Sequence, residues 1–328
     1  MSEGELELEV ELEAKPVAAS GELAQSSGAC DLQGVLAAEG SGALARRACE
    51  RDLAIERELA HGLRISTASA LNNEARERHL AGWVEGARQG YDQALREDAD
   101  GREPSAVSAL ARVNLALLLH EQGDHAAAEQ HLQWVLEHAS HPALRGAAYH
   151  NLSLVRLAQD DLDGALAASQ RGLRALRASQ GRAHGSVGAA LNALGTIRAE
   201  RGELEEAIVA LEAAVEIRTS ALGRLHPDTA ASLTNLGIAL GRAGRWEEAL
   251  ARQLEALEID QEVLGPRHAA TAVDLAQIGE ALMALHRTRA ARARFAAALE
   301  ILEPQRPIDD PELLELRRWL ALCDAGPS

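Results

Sequence analysis

The sequence predicts an all-α protein built from repeated pairs of antiparallel helices. Three observations support this prediction: an interior rich in Leu and Ala, a scarcity of strand-forming residues, and a phrase that recurs every 42 residues. Hydrophobic residues make up 47% of the 328 residues, whereas aromatic residues make up only 2%. Because Leu and Ala lose little side-chain freedom in a helix, this composition favours helices over strands.

Charge and cysteine usage narrow the class of protein. A net charge of −17 argues against nucleic-acid binding, which depends on basic side chains that neutralise phosphates. No stretch reaches the ~18 apolar residues of a membrane helix, and the N-terminus lacks the basic and apolar regions of a signal peptide. Cys30, Cys49 and Cys323 are scattered, as in a reducing compartment. We therefore expect a cytoplasmic protein with no nucleic-acid or membrane partner.

One phrase sets the register of the chain. Residues 221–237 read ALGRLHPDTAASLTNLG, and residues 263–279 read VLGPRHAATAVDLAQIG. Residues 179–195 carry a third copy, and the pattern continues upstream with weaker similarity. Each copy closes on an aliphatic residue followed by a small one, with a turn residue seven positions later and an Ala five positions after that. Six copies in one register predict six helix pairs.

This spacing resembles the tetratricopeptide repeat, which places Leu-Gly in a first helix and Ala-x-x-x-Phe in a second. The 42-residue period and the LG-x-x-H-P-D-T-A linker resemble the kinesin light chain type of repeat, and bacterial scaffold proteins carry similar arrays. The resemblance implies a right-handed superhelix whose concave groove holds a peptide or protein, without a cofactor. The family's Lys/Arg clamp for carboxylates is not reproduced, because the array contains no Lys.

The register and the apolar spacing divide the chain into four kinds of segment. The first 40 residues contain nine acids and one base, which indicates a disordered acidic tail at the start. A capping helix is predicted at the other end, because open solenoids need a polar outer face. The predicted ranges are 1–30 for the tail, 31–67 for an N-terminal helical segment or degenerate half-repeat, 68–99, 105–139, 142–179, 184–221, 226–263 and 268–303 for the repeats, and 309–323 for the cap.

The repeated histidines invite two interpretations, a metal or catalytic site and a helix start. His184, His226 and His268 occur once per repeat, so they cannot converge on one ion. Pro227 suits the first position of a helix, and Asp228 suits the positive end of its dipole. We interpret the phrase as a structural joint between repeats.

Two further clusters, one of histidines and one of arginines, each have two interpretations: a binding site, or side chains that are simply exposed to solvent. The histidines between residues 120 and 150 lack a Cys or paired carboxylate at recognised spacing, so solvated side chains are favoured over a metal site. The basic run in the last repeat suits an acidic partner or a solvated helical face. The clusters are His120, His125, His131, His138, His141 and His150, and Arg287, Arg289, Arg292 and Arg294.

Amides recur at the position before the Leu of each first helix, which faces the groove in the family that the chain resembles. Asn is mediocre inside a helix, so its recurrence needs a cause. One cause is the binding of an extended peptide, whose backbone needs both a donor and an acceptor. The alternative is that Asn bridges neighbouring helices or meets water. The predicted groove residues are Asn73, Asn114, Asn151, Asn192 (beside Ala193, which occupies the slot), Asn235 and Gln277, with Arg242 and Glu280 nearby.

The sequence predicts a non-catalytic scaffold or adaptor that binds a protein or peptide and is monomeric. No nucleophile–base pair, phosphate loop or metal-ligand set occurs at recognised spacing, so we do not expect an enzyme. The alternative is a signalling regulator, such as the receptor part of a bacterial serine/threonine kinase system, that changes curvature when a ligand binds.

Overall fold

A computed structural model of the protein describes residues 66–98 and 105–325. These residues belong to one compact unit, Leu63–Ser328. The predicted acidic tail (1–30) and nearly all of the predicted N-terminal segment (31–67), with Cys30 and Cys49, lie outside the described residues.

The described residues form thirteen α-helices and no strand, which confirms the all-α prediction. The helices are α1 (66–80), α2 (Val84–Asp98), α3 (Ala106–Glu121), α4 (His125–His138), α5 (Pro142–Ala158), α6 (Leu162–Gln180), α7 (Gly185–Glu200), α8 (Leu204–Leu222), α9 (Pro227–Arg242), α10 (Trp246–Val263), α11 (Ala269–Ala284), α12 (Thr288–Leu302) and α13 (Pro311–Ala325).

The helices stack as antiparallel pairs in a right-handed superhelix, as predicted. From α3 onward, each odd-numbered helix packs on the helix that follows it, and α13 packs on α12. The odd-numbered helices from α3 to α11 also contact one another across successive repeats, so they form a continuous inner layer. We call the odd-numbered helices α1 to α11 the inner helices and α2 to α12 the outer helices. The inner layer supplies the concave face.

A tight turn joins the two helices of each repeat. Gly202, at one such turn, has φ 81°, a left-handed conformation that costs glycine little. Asp160 (φ 62°) and His286 (φ 57°) take the same place in two repeats that lack glycine. The turn geometry is therefore kept even where the residue is strained, because the pairing of the two helices requires it.

The small residue after the Leu allows the two helices of a repeat to approach closely. A Cβ atom on Gly279 would lie 2.5 Å from Cε1 of Phe295, which is fully buried on the opposing outer helix. The equivalent Gly195 faces Leu211 in the same way. Glycine is used here because a side chain would displace the anchor of the second helix.

The repeated histidine is a helix cap. The Nδ1 atoms of His184, His226 and His268 accept hydrogen bonds from backbone N–H groups two residues later, over 3.2, 3.1 and 3.2 Å. Pro227 is the first residue of α9, and Asp228 lies in its first turn. The structural interpretation of the repeated phrase therefore has a direct cause, since the imidazole satisfies an otherwise unpaired donor at the start of an inner helix.

Replacing His226 tests this capping role. We expect His226→Ala to destabilise the α9 region by about 1 kcal/mol, because the N-cap acceptor is lost. His226→Asn supplies another N-cap acceptor and should retain most of the stability. Thermal unfolding of the two variants, followed by circular dichroism, measures the difference. Identical unfolding midpoints for His226→Ala and the wild type would show that the cap contributes nothing.

Candidate functional site

The predicted amides lie on the inner helices at one register position. Asn73 is exposed, and Ala193 is buried. The other predicted amides are half-buried, with part of each side chain open to solvent. These are Asn114 on α3, Asn151 on α5, Asn192 on α7, Asn235 on α9 and Gln277 on α11. We call Asn114, Asn151 and Asn235 the amide row.

Each member of the amide row bonds to the preceding inner helix. Nδ2 of Asn114 donates to Oδ1 of Asn72 over 3.1 Å, and Nδ2 of Asn235 donates to Oδ1 of Asn192 over 3.1 Å. Nδ2 of Asn151 donates to the carbonyl of Val113 over 3.3 Å. The structure therefore shows the bridging role that was one of the two sequence-based interpretations.

Bridging leaves the amide row able to bind a ligand as well. A primary amide has two N–H donors and one carbonyl acceptor. The bridge uses one N–H of Asn114, Asn151 and Asn235, so each keeps a second N–H and its oxygen. One peptide group of an extended chain also presents one donor and one acceptor. The two interpretations are therefore chemically compatible.

Sequence reasoning missed Asn72, and it placed Asn192 one position before the slot of Ala193 without identifying it as a bridging partner. Asn72 is 1% exposed, so its amide faces a neighbouring helix rather than solvent. Asn192 occupies the equivalent position in the fourth repeat and accepts the bond from Asn235. The available signal was the separation of one repeat between Asn72 and Asn114, which places them side by side on adjacent inner helices.

An apolar strip runs beside the amide row. It consists of Leu117, Leu154 and Ile238, which are half-buried at the same register on α3, α5 and α9. Thr196 takes the equivalent position on α7. The sequence carried a signal for this strip, because Leu occurs at the same register in two consecutive repeats. The inner face thus combines apolar side chains with side-chain amides, which carry the same kinds of donor and acceptor as a peptide group.

Charges at the ends of the inner helices pair with each other. Nη1 of Arg242 lies 2.8 Å from Oε1 of Glu200, one repeat away. Nε2 of His79 lies 2.7 Å from Oε2 of Glu121 in the same arrangement. Arg242, a predicted groove residue, is therefore already engaged in an ion pair. Exposed pairs contribute little stability, but the Arg242–Glu200 pair neutralises charge at the edge of the inner face.

Glu280 lies where the capping helix meets the last repeat. Its side chain and Gln277 line a cavity of about 170 Å³ together with Glu315 and Trp319 of α13. Burial, and then the nearby Glu315 carboxylate, raise the pKa of Glu280 above its ordinary value. The indole of Trp319 stacks on Phe295 with 5.6 Å between ring centroids. The capping helix therefore packs over this end of the last repeat.

His150 lies one position before Asn151 and carries no charge at neutral pH. Burial lowers the pKa of His150 to about 4, with a smaller contribution from the positive charge of Arg218. Its Nδ1 atom is buried without a hydrogen-bond partner. The middle of the inner face is therefore uncharged at this position.

The other histidines and the basic run do not assemble a site. Nδ1 of His120 lies 3.2 Å from Nδ1 of His125, but no three metal-ligating side chains converge anywhere in residues 66–98 or 105–325. In the basic run, Nε of Arg292 lies 2.5 Å from Oδ1 of Asp324 on the capping helix. No helix in the described part of the chain is long and apolar enough to cross a membrane.

The neutral state of His150 is directly measurable. We expect its ring protons to shift with a midpoint near pH 4 in a proton NMR titration, because protonation would place a charge in a buried site. His150→Gln assigns the resonance by its disappearance. A midpoint near 6.5, the value of a solvated histidine, would contradict the burial of this side chain.

Comparison with known proteins places these features in a family. Residues 144–220, 186–262 and 228–303 match the family model of the tetratricopeptide repeat. The chain has no match among curated proteins. Solved structures with the same fold are numerous.

Three of these structures illustrate the likeness. BtubC (BKLC) from P. vanneervenii is 19% identical with a TM-score of 0.54, over 75% of this chain and 94% of that one. A putative kinesin light chain from P. anserina with nearly identical TPR-like repeats is 22% identical with a TM-score of 0.50, over 60% and 96%. The apo form of RapI is 16% identical with a TM-score of 0.61, over 79% and 71%. At these identities the likeness concerns the fold. Since the family model matches three overlapping segments in the register of the helix pairs, residues 144–303 are tetratricopeptide repeats, and their 42-residue period makes them long ones.

Proposed function

We propose that the protein is a non-catalytic scaffold or adaptor that holds an extended segment of a partner protein against its inner helices. The observation that carries this proposal is the position of the amide row beside the apolar strip. Tetratricopeptide repeats typically mediate protein–protein interaction, and this inner face offers the chemistry that such an interaction needs.

The amide row suits the main chain of the bound segment. Asn114, Asn151 and Asn235 each retain one N–H and one carbonyl oxygen, which match the carbonyl and N–H of a peptide group. Their bridges to neighbouring helices fix the side chains before the ligand arrives. Less conformational entropy is then lost when the segment binds.

The apolar strip and the paired charges define the side chains of the segment. Leu117, Leu154 and Ile238 offer half-buried apolar surface, so we infer that the segment carries aliphatic or aromatic residues at the contact. The charge of Arg242 is compensated by Glu200, and His150 is neutral at neutral pH. A bound segment with low charge in its central part is therefore favoured over an acidic or basic one.

We also propose that the protein works as a monomer in a bacterial cytoplasm. The buried thiol of Cys323, the cysteine within the described residues, is unpaired, as expected in a reducing compartment. The abundance of Arg and Ala suits a GC-rich bacterial genome. Native mass spectrometry, and localisation of a tagged chain in a bacterial host, test these two statements.

Replacing the amide row tests the proposal. A random peptide library displayed on phage is selected against the wild-type protein, and the affinities of the selected peptides are measured by fluorescence polarisation. We expect the triple variant Asn114→Ala, Asn151→Ala and Asn235→Ala to bind them about tenfold or more weakly, because each lost hydrogen bond costs about 0.5–1.5 kcal/mol. A matched variant replaces three exposed amides on outer helices, Gln93, Gln130 and Gln261, and should bind normally.

Asn72→Ala separates ligand contact from helix bridging. It removes the same inter-helix bond as Asn114→Ala but leaves the solvent-facing amide in place. We expect Asn114→Ala to weaken peptide binding more than Asn72→Ala. Equal losses would mean that the amides act only by bridging helices, and unchanged affinity in the triple variant would overturn the proposed groove.

The apolar strip makes a separate prediction about specificity. We expect Leu154→Ser together with Ile238→Ser to weaken peptides with apolar side chains by about tenfold, because apolar contact area is lost. The side chains are half-buried, so helicity measured by circular dichroism should change little. Exposed Val209 on α8 supplies the control, since Val209→Ser removes apolar surface from an outer helix. Equal affinity for the double variant and this control would place the apolar contact elsewhere.

A further inference from the structure

Two buried carboxyl groups face each other at the joint between α10 and α11. Asp260 is 6% exposed and Asp274 is 1% exposed. They occupy the positions at which Arg218 and Ser232 are hydrogen-bonded one repeat earlier. Each carboxyl group acts on the pKa of the other through a side-chain hydrogen bond. Thr234 Oγ1 donates to Oδ1 of Asp274 over 2.7 Å. Oδ1 of Asp260 and Oδ2 of Asp274 are buried and have no N–H or O–H donor from another residue.

This arrangement requires a proton. An ionised carboxylate only accepts hydrogen bonds, so two of them cannot bond to each other. If one carboxyl group is protonated, its O–H donates to the other and satisfies both oxygens. The pair therefore has one favourable state, with a single shared proton, and one unfavourable state, with two buried negative charges.

No Arg or Lys side chain in the described residues compensates the second negative charge. Neither Asp260 nor Asp274 forms an ion pair with an Arg or Lys in residues 66–98 or 105–325. The titratable group that faces the pair from outside is His268, the N-cap of α11, which acts on Asp260. Thr234 of α9 contributes only a neutral hydroxyl.

The equivalent joints in the array are built differently. Forty-two residues earlier, Nη1 of Arg218 donates to Oγ of Ser232 over 2.7 Å. One repeat before that, Leu176 and Ala190 share an apolar cluster, and at the capping helix Leu302 and Leu316 do so. The acid pair therefore differs both from the two apolar joints and from the Arg218–Ser232 joint, which contains a basic side chain.

Apolar side chains pack at the same joint as the acid pair. Leu257 of α10 shares one buried cluster with Ala272 and Leu275 of α11. The acid pair is enclosed at this interface, so a second buried negative charge would oppose the packing of α11 on α10.

We propose that the Asp260–Asp274 pair makes the α10–α11 joint proton-dependent, so that α11, α12 and the capping helix pack firmly on the rest of the array only while the pair holds a proton. This inference is independent of which partner the inner face binds. Loss of the proton loosens the end of the array that carries Gln277 and Glu280.

The transition falls near neutral pH. Burial raises the pKa of Asp274 to about 7, and the charge of Asp260 adds to this shift, while burial also raises the pKa of Asp260. The unfolded chain releases the Asp274 proton near pH 4. The stabilising contribution is therefore complete below about pH 4, declines as the pH rises, and is lost above about pH 7.

A whole-protein melting curve would mix two opposite effects. The lowered pKa of His150 reduces stability as the pH falls from about 6.5 to 4, because the unfolded chain then binds a proton that the folded chain excludes. Asp274 has the opposite sign in an overlapping window. A local measurement at fixed pH is therefore required, and hydrogen exchange of backbone amides followed by mass spectrometry provides it.

The experiment compares the full wild-type chain with Asp274→Asn. The new amide mimics the protonated state, since its Nδ2 donates to Asp260 and its Oδ1 accepts from Thr234. At about pH 8 we expect α11–α13 amides to exchange faster in the wild type than in the variant. The ratio of the two rates should fall about a hundredfold between about pH 8 and about pH 5, because the packed joint keeps its proton up to about pH 7 whereas a loosened joint releases it near pH 4. Amides of α7–α8, which contain no histidine, serve as the internal reference.

Further variants keep the proposal falsifiable. Glu216→Gln neutralises an exposed carboxylate on α8 and should leave the wild-type pattern unchanged. If Asp274→Asn does not fold by circular dichroism, Asp260→Asn replaces it. Equal exchange of α11–α13 in the wild type and the folded variant at about pH 8 overturns the proposal. So does a wild-type ratio of α11–α13 to α7–α8 exchange that is the same at both pH values, after correction for intrinsic rates.

Discussion

The packing of each helix pair against its neighbours is the interaction on which the rest of the structure depends. A single pair cannot cover its own apolar surface, so stability comes from the interfaces between consecutive pairs. The left-handed turns, the glycines opposite Leu211 and Phe295, and the histidine caps all keep one geometry from repeat to repeat. Because the geometry repeats, the inner helices meet in a continuous layer. The candidate binding face is a consequence of that layer.

The same constraint explains why polar groups recur on the inner helices. Adjacent inner helices leave short gaps that an amide on one helix can span to the next, as Asn114 and Asn235 do. The bridge holds the repeats in register, and it also presents an oriented donor and acceptor to solvent. The side chain that bridges the repeats is therefore also the one proposed to bind the ligand. Charged residues at the edge, such as Arg242 and Glu200, link the repeats and neutralise each other.

The joints between consecutive repeats differ in the residues that they bury. The α8–α9 joint uses a buried Arg218 with Ser232, whereas the α10–α11 joint uses two carboxyl groups. In a chain whose repeats contact only their neighbours, a weak joint affects the segment beyond it without unfolding the remainder. Proton loss at Asp260 and Asp274 is accordingly a change in the last repeat and the capping helix. It is a means of altering one end of the inner face while the amide row stays in place.

The sequence by itself determined the helical class, the repeat period, the turn positions and the register of Asn114, Asn151 and Asn235. These features are periodic, so each copy supports the others. It also indicated that His226 is structural, because a residue that recurs once per repeat cannot join a single site. Only the tertiary structure decided that Asn72 and Asn192 are bridging partners, that Arg242 is paired, that Nδ1 of His150 is buried, and that Asp260 meets Asp274. Those facts depend on distances and burial between helices that are adjacent in space, which the one-dimensional register orders but does not measure.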